Sequence, residues 1–219
     1  MKIAQEIYTE YKIMPSLQLH QLRVASVAKL ICNNFTKPVN EKDVVLACLF
    51  HDMGNIIKSD ITYFPEFAEP EGIEYWEKVK AEFVAKYGPD HHAACAAIAR
   101  EIGLPPRAVE LVEGIGYSKL GAIVDSQDWE QKIAEYADTR VGPRGVLPLE
   151  ERLVEGRTRY LTTATSRPHY DTEAGFEKLA QTAGELERQV SGCMHIKPND
   201  IDDASITTLI EDLRSYSVD

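Results

Sequence analysis

At 219 residues, with 44% hydrophobic and 8% aromatic content, the chain has the make-up of one large globular domain or of a domain with an extension. Its formal net charge of -11 excludes a generic nucleic-acid coat or other extended nucleic-acid surface, because no basic stripe exists to displace counterions from phosphate; it also works against long-range steering of strongly anionic substrates. No run approaches the roughly 18 apolar residues of a membrane span, so no membrane role is expected, and the first residues, MKIAQEIYTEYKIMP, lack the apolar centre of a signal peptide. The four cysteines, Cys32, Cys48, Cys95 and Cys193, form no C-x-x-C pair and read as reduced, buried cysteines of a cytoplasmic protein.

Leu17 to Ile31 is expected to be an amphipathic helix: His20, Val24, Val27 and Ile31 share one face of a 3.6-residue period, with Arg23 one turn from His20. A loop to Asn40 precedes an apolar helix that starts at a cap of Asn40 and Asp43 and stops at Gly54. Tyr63 to Glu71, rich in aromatics and prolines, is too irregular for a regular element and is expected to form a lid. IEYWEKVKAEFVAKYG reads as a helix whose stripe Trp76, Val79, Phe83 is core packing. His91 to Ile102 is an alanine-rich helix, Ala108 to Glu113 a short one, GIGYSKLGAI a glycine-broken turn, and Asp128 to Val141 a further helix. Beyond Pro148 the chain continues as Leu149 to Tyr160, then a Thr/Ser-rich break, then helices near Thr172 to Val190 and Asp203 to Tyr216. No alternating strand pattern occurs. The fold class is therefore all-α, with residues 1–145 as the principal domain and 146–219 as a helical extension packed on it.

The end of the central apolar helix, VVLACLFHDMG, carries the chemistry. A carboxylate at Asp52 faces the negative end of the helix dipole and a desolvating environment, so a positive partner is required. The neighbouring His51 imidazole is neutral and electron-donating, which points to a metal ion as that partner. His20 lies on the apolar face of the earlier helix, and Asp138 sits late on the apolar helix containing EYADTR. Together, two imidazoles and two carboxylates make a mixed nitrogen–oxygen site suited to Mn, Fe, Co, Mg, Ni or Zn.

His20, His51-Asp52 and Asp138, in the contexts HQLRVASVAKLI, LACLFHDMGN and YADTR, resemble the signature of the HD superfamily of metal-dependent phosphohydrolases, over roughly residues 17 to 145. The resemblance implies a helical bundle of the HD type with additional C-terminal helices. His20, His51, Asp52 and Asp138 are then ligands of a divalent metal, and metal-activated water attacks a phosphoester of a small phosphorylated molecule, with nucleotides the leading class. His91 or His92, in PDHHAACAAIAREIGL, corresponds to a ligand of a possible second metal, whereas the next expected histidine position, within LVEGIGYSKL, holds none. Asn55 stands where relatives carry lysine or glutamate. It can orient water or phosphate but cannot take a proton, which leaves metal-bound hydroxide as the base, with Asp52 as a relay for the proton. Arg23, Lys58, Lys119 and Arg140 are candidates for contact with the phosphate, Arg23 and Lys58 nearest the chemistry; Arg23 and Arg140 also read as salt-bridge partners of the site's carboxylates. His91 and His92 read equally as a solvated helix start, and His169 and His195 as surface residues. Two other functions fit the same signature: a di-iron oxygenase, which needs a complete second ligand set, and a non-catalytic module that binds a nucleotide or partner protein. A homo-oligomer is compatible with all of these.

Overall fold

The structure, a computed structural model, describes residues 2–161 and 172–218. Among them it consists of eleven α-helices with no strand. The central element is α3 (Glu41–Phe50), in which every residue from Val44 to Phe50 is fully buried. A helix apolar on all sides has to be surrounded, and α3 is enclosed by α2 (Pro15–Asn33), α6 (Pro106–Gly114) and α8 (Trp129–Arg140). Its start is as the sequence reads: the Asn40 side chain accepts the Asp43 amide at 3.4 Å.

Its end differs. The helix stops at Phe50, and residues 51–54 form a turn leading into a 3₁₀ segment, Asn55–Lys58, as the Asn55 amide donates to the Asp52 carbonyl at 2.9 Å. Asp52 thus lies just past the helix, where the Gln21 side chain accepts its amide at 3.2 Å. One carbonyl orphaned by this termination, that of Leu49, accepts the Tyr8 hydroxyl at 2.6 Å. Tyr8 belongs to α1 (Ala4–Glu10), a helix not expected from the sequence although Ala4, Ile7 and Tyr8 bury one face of it.

The stripe Trp76, Val79, Phe83 of α4 (Ile73–Tyr87) is buried as core, and α5 (His91–Glu101) starts at Asp90, whose carboxylate accepts the His92 and Ala93 amides. The expected glycine-broken turn is instead a 3₁₀ turn, Tyr117–Lys119, running into α7 (Leu120–Asp125). Its buried Leu120 and Ile123 supply the docking face that overrides the local effect of Gly121.

The C-terminal elements are α9 (Leu149–Leu161), α10 (Glu173–Ser191) and α11 (Asp203–Arg214). α10 lies on α8, with the Tyr136 hydroxyl donating to Glu187 at 2.7 Å, and α11 lies on α2. Buried residues of α10 and α11 join the same hydrophobic cluster as those of α3. The Thr/Ser-rich break and His169 fall outside the described residues, and His195 is exposed. All four cysteines are free; Cys48 and Cys95 are buried, whereas Cys32 and Cys193 are only partly so. No described helix is long and apolar enough to cross a membrane.

Candidate metal centre and its cavity

Three elements deliver the four residues singled out in the sequence. α2 brings His20, the turn after α3 brings His51 and Asp52, and the last turn of α8 brings Asp138. His20 Nε2 is 3.2 Å from Asp138 Oδ1 and 3.6 Å from Asp52 Oδ2; His51 Nε2 is 3.3 Å and 3.6 Å from the same two oxygens. Ligands at about 2.1 Å from a cation are separated from one another by roughly 3.0–3.4 Å, so these distances are close to the edges of a coordination shell.

The donor set also fits a cation chemically. The His51 Nδ1–H donates to the Cys48 carbonyl at 2.8 Å, which fixes the tautomer and turns the Nε2 lone pair toward the carboxylates. Nε2 is buried and has no hydrogen-bond partner of acceptable geometry. In the neutral imidazole that lone pair faces two carboxylate oxygens, an arrangement that requires positive charge among them. Without a metal a proton supplies it: burial opposes charging His51, yet Asp52 and Asp138 outweigh burial and lift its pKa to about 9. For Asp138, burial is likewise overcome by the hydrogen bond with His20 and by the nearby His51 imidazole, which hold the carboxyl well below the usual range.

The cluster forms one wall of a cavity of about 650 Å³, within the size range of small-molecule sites. Asn55, Lys58, His91 and His92 also line it, as do Tyr63, Phe64 and Phe67 of the expected lid. Burial, then Lys58, lowers the pKa of His91 to about 3 and depresses that of His92, so both imidazoles are neutral lone-pair donors. Among the described residues, however, only His20, His51 and Asp52 form a group of three or more ligating side chains with all donor atoms within 4.8 Å, and neither His91 nor His92 joins a second one. Arg144, next to Pro143 of the cavity lining, tethers the aromatic segment: it pairs with Glu66 at 2.7 Å and lies over the Phe64 ring.

Three of the four expected phosphate-binding cations are placed elsewhere. Arg23 faces Asp203, with Nε 3.3 Å from Oδ1, and does not line the cavity. Arg140 is 1% exposed and donates to the carbonyls of Leu147, Pro198 and Ile201, so it serves the fold, not a ligand or the site's carboxylates. Lys119 turns to the Glu113 carbonyl, outside this cavity. Lys58 alone lines it. Two cavity arginines were missed in the sequence, Arg152 and Arg159 of α9; their signal was the spacing R-x-x-E-x-x-x-R on one helical face.

Gly54 is required by close approach. A Cβ there would sit 2.7 Å from Ala94 Cβ and 2.9 Å from the His91 carbonyl, so α5 can deliver its histidines to the cavity only because this position lacks a side chain. Gly54→Ala is expected to lower stability by roughly 1–3 kcal/mol, read from urea denaturation. An unchanged midpoint would contradict this packing.

Glu135, also missed, lies one turn before Asp138 and is 1% exposed, and it accepts the Gly116 amide at 2.7 Å. That bond holds the 115–118 loop against the cavity, where Gly116 adopts φ 142° beside His92. Burial, then repulsion from Asp138, raises the Glu135 pKa from 4.5 to about 8. Between those pH values the unfolded chain releases this proton and the folded one keeps it, so Glu135 makes stability fall as pH rises from about 4.5 to 8. In metal-free protein, Glu135→Gln is expected to remove that slope: it should match wild type near pH 4 and exceed it by up to about 4 kcal/mol at pH 8. Denaturation at both pH values checks this, and identical slopes in the two proteins would refute it.

The helical enclosure and the imidazole–carboxylate cluster together define the class of all-α proteins built around a mixed nitrogen–oxygen ligand set. The HD domain model matches residues 18–141, more than half of the chain, and the chain belongs to the HD domain family, within a superfamily of metal-dependent phosphohydrolases. Searches of curated proteins and of solved structures return no significant match.

Proposed function

We propose that the protein is a phosphohydrolase that uses one divalent metal to cleave a phosphoester of a small molecule, a nucleotide being the best-fitting class. The observation that carries this reading is the convergence of His20, His51, Asp52 and Asp138 on a cavity that also offers cationic and aromatic walls. When bound, the cation lowers the pKa of its water and offsets charge on the phosphoryl oxygens. The chain's own residues do the rest. His51 is oriented through its Nδ1–H bond to Cys48, and His20, His51, Asp52 and Asp138 hold the cation. Lys58 compensates phosphate charge, and Asn55, whose Oδ1 is buried without a hydrogen-bond partner, orients water or substrate. Asp52 is the carboxylate placed to accept the proton that water loses.

Tyr63, Phe64 and Phe67, packed edge-to-face and tilted with centroids 4.7 and 4.9 Å apart, supply the apolar face on which a nucleobase would rest and act as the lid. That the described residues hold one ligating cluster favours this reading over the di-iron oxygenase, and the cavity's size and mixed lining favour it over a module that keeps metal for structure alone. The test is phosphate release from a panel of nucleoside mono-, di- and triphosphates and simple phosphoesters, after chelation and re-addition of Mn, Co, Mg, Ni, Zn or Fe. Release that vanishes with chelation and returns with one of these metals is the expected result. Two irons per chain with oxygen consumption and no phosphate release would replace the reading with the oxygenase.

A further inference from the structure

We propose that Arg159, braced through Glu155 by Arg152, binds a phosphate dianion of the substrate; this rests on the phosphohydrolase reading and gives the C-terminal helix α9 a share in the site. Arg152, Glu155 and Arg159 fall at i, i+3 and i+7, one face of α9, and both arginines line the same cavity as the imidazole–carboxylate cluster. The Glu155 carboxylate accepts Arg152 Nη1 at 2.9 Å and Arg159 Nε at 2.8 Å, so one anion orients two guanidinium groups. Arg152 is anchored in turn: its Nε donates to the Val141 carbonyl at 2.9 Å, and the Val141 amide donates to the Asp138 carbonyl at 3.1 Å. The arginine row is therefore built onto the backbone that carries Asp138. Side-chain exposure is only 8% for Arg152 and 17% for Arg159.

The electrostatics select the ligand. Three carboxylates, Asp52, Asp60 and Asp138, line the cavity beside three permanent cations, Lys58, Arg152 and Arg159. These charges balance, and Glu155 between the two arginines adds one negative charge, so the wall is near neutral in a chain of net charge -11. A divalent cation at the cluster then leaves the cavity with excess positive charge, which a dianion offsets. Arginine presents a planar fork that matches the spacing of phosphate oxygens, and it is more weakly hydrated than lysine, which suits a partly desolvated wall.

The test is calorimetric titration of inorganic phosphate into metal-loaded wild type, Arg159→Gln and Arg159→Lys, together with KM and kcat on the phosphoester that wild type turns over best. Phosphate affinity reports the site without any turnover; KM reports the same contact to the substrate's own phosphate. Arg159→Gln is expected to weaken phosphate binding and raise KM on the order of 10- to 100-fold, with kcat changing less and metal content unchanged. Arg159→Lys keeps the charge but loses the fork and should lie between; it decides alone if the glutamine variant does not fold. Unchanged phosphate affinity and KM would overturn the assignment, as would a wild type that binds no phosphate. Phosphate binding that depends on Arg159 in a protein that hydrolyses nothing would keep the site and discard the hydrolase. Hydrolysis indifferent to Arg159 would do the reverse.

Discussion

Asp138→Asn is expected to abolish metal binding and with it at least about a thousandfold of the phosphohydrolase activity, because several kcal/mol of charge stabilisation in the transition state depends on the cation. The substitution preserves shape and one oxygen, so it tests charge and not volume. Asp138 Oδ1 lies 3.2 and 3.3 Å from the two imidazoles, the shortest of the four separations within the cluster. Replacing this anion by a neutral amide leaves Asp52 as the only negative ligand, which weakens the hold on a divalent ion against water. The same substitution removes a carboxyl that the histidines hold well below its ordinary pKa. Such a depressed carboxyl contributes stability above its unfolded pKa that is lost as pH falls, so metal-free Asp138→Asn should be less stable than wild type at neutral pH and lose that deficit in acid. Elemental analysis, phosphate release, and denaturation at pH 7 and at about pH 2 read the three effects. A variant that keeps full metal content and full activity would remove Asp138 from the ligand set.

Arg140→Ala is expected to be the most destabilising single truncation in the helix that carries Asp138, costing roughly 3–5 kcal/mol. The guanidinium is fully buried, and its ion pair with Glu187 is long at 3.9 Å. Its work is done on carbonyls: Nε on Leu147 at 2.6 Å, and the two terminal nitrogens on Pro198 and Ile201, with the Tyr136 hydroxyl accepting a further bond at 2.8 Å. Removing it leaves these acceptors unpaired, together with a void. At this chain length the cost corresponds to a fall in melting temperature of about 6–20 °C. Arg140→Lys should recover little, because one ammonium cannot reach carbonyls spread along the fork. A small shift for Arg140→Ala would mean that water replaces these contacts.

The helices and the cluster were legible because both leave periodic or chemically anomalous marks. The apolar run from Val44 to Phe50 behind the Asn40 cap fits a surrounded helix, and an acid-bearing His-Asp pair at its end demands a cation. Where charge alone was the guide, the reading failed. Arg23, Arg140 and Lys119 were chosen for nearness in sequence to motif residues, yet side chains this long choose partners in three dimensions, and theirs are Asp203, the carbonyls after α8 and at Pro198 and Ile201, and the Glu113 carbonyl. Arg152 and Arg159, distant in sequence from every motif, line the cavity instead.

By itself, then, the sequence determined the all-α class and the four residues that meet, since each follows from periodicity or from the cost of an unpaired anion; it read Gly54 only as a helix stop, and its close approach to α5 emerged from the packing. Only tertiary structure decided which cations face the cavity, that Glu135 is buried beside Asp138, and that α9 completes the wall. Those outcomes depend on long-range packing and on competition among many possible partners, a balance that no local pattern encodes.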